Sequence, residues 1–277
     1  MLLGYNTNGF AFHRLDDAVR IMHQLGYGAV GVTLDVHHLD PFHPDADTHA
    51  RAFRLLLDEL DMRCVVETGA RFLLDSRRKH QPTLLDPVEA ERRKRAEFLE
   101  LAIDISATLG ADGVSFWSGT APDGVTEPVA IERMLESLAS VMTKAKECGI
   151  RLALEPEPGM AVATTEQGMG LVRRVGDPLF GLTVDVGHVH CNSEGDVPSI
   201  LKTVGDRLFN VHIEDMKVGV HDHLMFGEGE MDFPPIFEAL KSIGYSNGVY
   251  VELSRHAHDA VAAAEQSMRF LKGIAVT

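Results

Sequence analysis

Eight short apolar runs alternate with eight longer helical patterns along 277 residues, and this repetition predicts a (β/α)8 barrel built as one domain over 1–277. Two further observations agree. The runs are nearly continuous in apolar residues instead of alternating, as expected for strands buried on both faces of a parallel sheet. No dinucleotide-type glycine fingerprint accompanies them, which disfavours a doubly wound sheet, and no linker or composition break divides the chain.

The elements follow in order. LLGYNT (2–7) is the first strand and 14–25 its helix. AVGVTLD (29–35) pairs with 47–60, RCVVETG (63–69) with 88–109, and GVSFWSG (113–119) with 127–148. RLALEPE (151–157) leads to helix 165–174, FGLTVDVG (180–187) to 196–204, LFNVHIED (208–215) to 234–243, and GVYVELS (248–254) to 257–272. The sequence around the seventh helix predicts its start: Asp232 precedes Phe233-Pro234-Pro235, so Asp232 is expected to cap its first amides.

Composition narrows the function. The net charge of −15 argues against nucleic acid as the main partner, because binding phosphates needs concentrated cations. Basic residues from Arg92 to Arg95 are interleaved with Glu89, Glu91, Glu97 and Glu100, the pattern of a solvated helix face. No apolar run approaches a membrane span, and MLLGYNTNGF does not read as a signal peptide. Cys64, Cys148 and Cys191 form no close pair, so a reducing, cytoplasmic setting is expected. A homo-oligomer is compatible with all of this.

Active sites of this fold lie at the C-terminal ends of the strands. Those ends carry Asn6, Asp35, Glu67, Trp117, Glu155, Asp185, His212 and Glu252. Polar groups within apolar strands are costly to bury unless paired or bound to a cation. Strands five to eight end in Glu155, Asp185, His212 and Glu252, three carboxylates and an imidazole that would converge at one mouth. Such a set suits one divalent ion, Mn²⁺, Mg²⁺, Co²⁺ or Zn²⁺. Glu67 and Trp117 are candidates for contacting a substrate. Arg71, Arg78 and Lys79 lie on the long loop after strand three, where a phosphate or carboxylate could be held and a lid could form.

The stretches LALEPEP, LTVDVGHVH, NVHIEDMK, GEGEMDF and YVELS resemble the motifs of the xylose isomerase-like barrel superfamily. Its members include sugar-phosphate isomerases and epimerases, ketose 3-epimerases, dehydratases and endonuclease IV. The resemblance runs over the whole chain and is densest beyond residue 150. It implies that Glu155, Asp185, His212 and Glu252 are the shared metal ligands and that Glu155 and Glu252 act as acid and base on opposite faces of a sugar. It also implies a substrate or metal contact for His188. Two departures separate the chain from the ketohexose 3-epimerases. Ala161 stands where they carry a second glutamate, and Lys217 is nearest in kind to an arginine that they place after the strand-seven histidine.

The expected activity is therefore metal-dependent isomerisation or epimerisation of a sugar, sugar phosphate or keto-polyol through an enediolate. Elimination of water by the same chemistry, a phosphoesterase of the endonuclease IV kind and a non-catalytic metabolite-binding barrel are the alternatives. His221 and His223 follow strand seven, and an H-x-H pair in extended chain sends both rings to one side. The resemblance to endonuclease IV implies that His188 joins them in an expected second metal site; the alternative is hydrogen bonds to the sugar.

Overall fold

A computed structural model describes residues 1–275 of the chain. Its centre is a closed barrel of eight parallel strands, β1 (Leu2–Asn6), β2 (Ala29–Thr33), β3 (Arg63–Glu67), β4 (Val114–Trp117), β5 (Leu152–Glu155), β6 (Phe180–Asp185), β7 (Leu208–Ile213) and β10 (Gly248–Val251). They succeed one another in chain order, and β10 closes the ring by pairing Leu3 with Val249 and Tyr5 with Val251 on β1. Every residue of β2, β6 and β7 is buried, which explains their unbroken apolar character.

The outer layer is formed by α1 (Leu15–Leu25), α2 (Ala46–Glu59), α3 (Glu89–Leu109), α4 (Glu127–Cys148), α5 (Thr165–Val175), α7 (Val197–Val204), α8 (Phe233–Ser242) and α9 (Ala260–Ala275). Local chemistry sets their starts. Thr164 and Gln167 cap α5 reciprocally, and the Asp196 carboxylate accepts from the Ser199 amide at the head of α7. Asp232 does occupy the capping position of α8, but its side chain makes no capping hydrogen bond. The expectation of a stabilising cap is therefore corrected: Asp232→Ala should change stability by less than about 0.5 kcal/mol, read by urea denaturation. Among the described residues no helix is long and apolar enough to cross a membrane.

Two segments differ from the pattern expected of them. The sixth strand stops at Asp185, because its carboxylate accepts from the amides of Gly187 and His188 and starts a short helix, α6 (Val186–Cys191). Beyond β7 the chain forms a hairpin instead of an open loop, β8 (Asp215–Lys217) against β9 (Val220–Leu224). Asp215 organises it, accepting from the amides of Met216, Gly227 and Met231. Gly229 permits this: a Cβ there would lie 2.1 Å from Asp215 Oδ1. The hairpin folds His221 and His223 back over the barrel mouth.

Candidate metal centre

The strand ends converge as barrel geometry requires. Asp185 and His212 are register partners on β6 and β7, Trp117 and Glu155 on β4 and β5, and Glu252 directly follows β10. One ligand-type atom from each of Glu155, Asp185, His212 and Glu252 lies within 4.8 Å of the others. His212 Nδ1 stands 2.9 Å from both Glu155 Oε1 and Glu252 Oε2, while its Nε2 stands 2.9 Å from Glu67 Oε1. An Nε2–H donated to Glu67 would fix the tautomer that turns the Nδ1 lone pair toward the ligand set, the usual outer support of a metal-binding imidazole. Asn8 donates to Glu252 Oε1 at 2.7 Å, orienting that carboxylate.

Electrostatics describe a site with more acid than it can hold unaided. Burial opposes charge on His212, but Glu67, Glu155 and Glu252 outweigh it and hold the imidazole well above its ordinary range. Burial pushes the Glu155 carboxyl up to about 7 against the attraction of His212. For Glu252 burial loses, and His212 keeps its carboxyl below the usual carboxylate range. Asp185 Oδ2 is buried without any hydrogen-bond partner. The two N–H groups of a protonated His212 thus serve three carboxylates, and Asp185 Oδ2 is left without a partner. A divalent cation among these O and N donors fits the residues present.

A cavity of about 490 Å³ opens over this cluster. Its wall includes Glu67, Trp117 and Arg71, as well as His188, His221 and His223. His188 Nε2 and His221 Nε2 are 3.0 Å apart, and the three histidines form a second group of converging nitrogens. Lys217 is not brought to the cavity: it lies exposed where β8 meets its turn. Arg71 reaches the rim but is engaged by Asp35 at 3.4 Å, whereas Lys79 is exposed there. The long loop after β3 is anchored where it meets the cavity, with His80 Nδ1 2.7 Å from the Gly69 carbonyl and its ring edge-on to Trp117. Beneath Trp117 the buried Arg95 guanidinium lies 4.3 Å from the ring centroid.

Three residues at the site were not singled out by sequence reasoning. Asn8 sits in a turn with no strand pattern to mark it. Glu157 lines the cavity, and burial pushes its carboxyl up to about 8. The doubled Glu-Pro of EPEP was its signal. Glu214 is fully buried beside Asp185 and His223, and its signal was an acid continuing an apolar strand.

Similarity to known proteins agrees with this architecture. Residues 19–274 match the model of the xylose isomerase-like TIM barrel family, and the chain belongs to that family. An L-ribulose-5-phosphate 3-epimerase of Shigella flexneri is 24% identical over 264 residues, covering 92% of this chain and 88% of that one. An uncharacterised protein of Methanocaldococcus jannaschii is 26% identical over 190 residues, 66% of this chain and 64% of that protein. A structure of the IolI protein with a bound zinc atom superposes with a TM-score of 0.80 at 19% identity, covering 99% of this chain and 98% of the other.

Proposed function

We propose that the chain is a divalent-metal-dependent isomerase or epimerase of a small ketose, ketose phosphate or keto-polyol. The observation that carries this reading is His212 Nδ1 held 2.9 Å from carboxylates on two different strands, with Asp185 completing the set. The epimerase among its relatives supports the reaction class, and the zinc-bound barrel of the same fold supports a metal at the mouth. Glu155, Asp185, His212 and Glu252 would hold the ion.

Bound there, a divalent cation supplies Lewis acidity that stabilises an enediolate. The residues do the rest. Glu155 and Glu252 approach from β5 and from beyond β10, so one carboxylate takes the α-proton and the other returns a proton from the opposite side. Loss of a β-hydroxyl from the same enediolate would give a dehydratase product. Trp117 offers a face for the carbon skeleton and Glu67 keeps His212 in one tautomer. Lys79, exposed at the rim, is the cation best placed to meet a phosphate, with Arg71 beside it but paired to Asp35. His188, His221 and His223 hold a substrate oxygen, directly or through a second ion. The partner is thus a small molecule, and the acidic cavity and a net charge of −15 disfavour nucleic acid.

Incubation of the Mn²⁺- or Zn²⁺-loaded protein in deuterated water with a panel of ketoses, ketose phosphates and keto-polyols tests the reading. Deuterium should enter one α-carbon of one substrate class, in a product of unchanged mass apart from the label. A product lighter by water identifies elimination instead. Absence of exchange across the panel, with cleavage of abasic-site DNA, would replace the reading with a phosphoesterase.

A further inference from the structure

Arg95, on α3, is the largest fully buried side chain among the described residues. A charge in an apolar interior is costly unless a carboxylate or a full set of acceptors balances it. Among the described residues no carboxylate does so here: burial alone acts on the guanidinium and pushes its pKa down to about 9. Its Nη1 is buried without a hydrogen-bond partner, and Nη2 makes one long bond, 3.4 Å to the Thr68 carbonyl. The remaining compensation is aromatic. Cζ lies 4.3 Å from the ring centroid of Trp117 and 5.4 Å from that of Phe98, within the range where a ring face attracts a cation. An apolar side chain of similar size would fill this position at less cost, so stability does not account for a cation there.

What the guanidinium touches is one wall of the cavity. Trp117 and Thr68 both line it, whereas Arg95 stands behind them. Trp117 is the register partner of Glu155, and Thr68 follows Glu67, whose Oε1 is 2.9 Å from His212 Nε2. Thr68 Oγ1 donates to the Ser115 carbonyl at 2.7 Å, tying the end of β3 to β4. His80 meets the same indole edge-on while its Nδ1 lies 2.7 Å from the Gly69 carbonyl. Trp117 is thus gripped by a cation from α3 and an imidazole from the loop after β3.

We infer that Arg95 is a positioning residue that clamps Trp117 and the Thr68 carbonyl, fixing the indole beside Glu155 as the surface that seats the substrate's carbon skeleton. The inference rests on Trp117 being the substrate face proposed above, and it adds the residue that acts through that face. Trp117 meets carbon atoms that do not react, so the clamp strengthens binding equally in the ground state and the transition state. Its loss therefore weakens the hold on substrate and leaves the chemical step in place.

Arg95→Met, Trp117→Leu and the double variant test it, with Arg95→Lys as the conservative change. On the substrate found by deuterium exchange, Arg95→Met should raise KM about 2–30-fold, the worth of a cation–π contact, with kcat and zinc content little changed. Trp117→Leu should absorb that effect, because residues acting as a unit are not additive. Arg95→Lys keeps a cation without the planar fork, so its KM should fall between, and it carries the test if Arg95→Met does not fold. Tm of Arg95→Met should equal or exceed that of wild type, since an unbalanced charge is removed. The chain has one tryptophan, so its emission reports Trp117 alone, and acrylamide should quench it more readily in Arg95→Met. The same KM rise from Arg95→Met with and without the indole overturns the clamp. A fall in Tm with KM and quenching at wild-type values also overturns it and leaves Arg95 a purely structural residue. Wild type that exchanges no deuterium across the panel removes the sugar reading by itself; quenching then decides the clamp, upheld by a rise in Arg95→Met and overturned by none.

Discussion

Glu155→Gln and Glu252→Gln are each expected to lower turnover by at least about 10²–10⁴-fold, the scale of a lost acid–base group. The reason is that each glutamine removes two functions. It takes away a charged donor 2.9 Å from His212 Nδ1, and it leaves no carboxylate to accept or return a proton. Zinc content should fall in the same variants, which separates this outcome from a purely catalytic defect. Glu67→Gln should act more mildly, weakening metal affinity by about 10–100-fold, because Glu67 orients His212 without joining the four-ligand group. Measured rates on the substrate found by deuterium exchange decide the matter: near wild-type turnover in either Glu155→Gln or Glu252→Gln would remove that residue from the mechanism.

Chelation combined with pH gives the second large effect. A free ion at 100 times its Kd stabilises the folded state by about 2.7 kcal/mol, so stripping the metal should lower Tm by several degrees. The dependence on pH follows from His212, whose folded pKa lies above its ordinary value because three carboxylates outweigh burial. A raised pKa means that the protonated imidazole stabilises the apoprotein fully below the unfolded value, near 6.5. That contribution is lost as pH rises through the raised folded value. Metal must displace this proton, so affinity should increase with pH over the same interval, with proton release on binding. Calorimetry in two buffers of different ionisation enthalpy measures that release. An affinity independent of pH from 6 to 9 would show that His212 carries no proton for the ion to displace.

Much of this protein is legible one residue at a time. The eight unbroken apolar runs became the eight barrel strands, since a strand covered on both faces has no exposed position to make polar. Strand-end polarity likewise pointed to the mouth, because an ionisable group ending an apolar strand must meet a partner there. So Glu155, Asp185, His212 and Glu252 could be grouped before any coordinates, although their roles as ligands stand as a proposal. Glu67 and Trp117 reached the cavity by the same logic.

What escaped the sequence depended on where the chain turns back. The hairpin β8–β9 is held by Asp215 accepting three amides from residues as far as Met231, and no local pattern announces such a long-range anchor. Lys217 matches the family's arginine only in kind and approximate spacing, and it lies exposed at the end of β8, outside the cavity wall. Asp232 has the right neighbours and the extended backbone of a cap, but its side chain makes no capping hydrogen bond. Glu214 illustrates the division most sharply. Its sequence neighbours predict only a strand end, whereas its fully buried, unpartnered carboxylate arises because β6, β7 and β9 bring Asp185, Glu214 and His223 together. Periodicity, a property of near neighbours, determined the barrel and the residues at its mouth. The pairing of charges across the mouth was decided only by tertiary structure, because electrostatic and hydrogen-bond energies depend on distances between residues far apart in the chain.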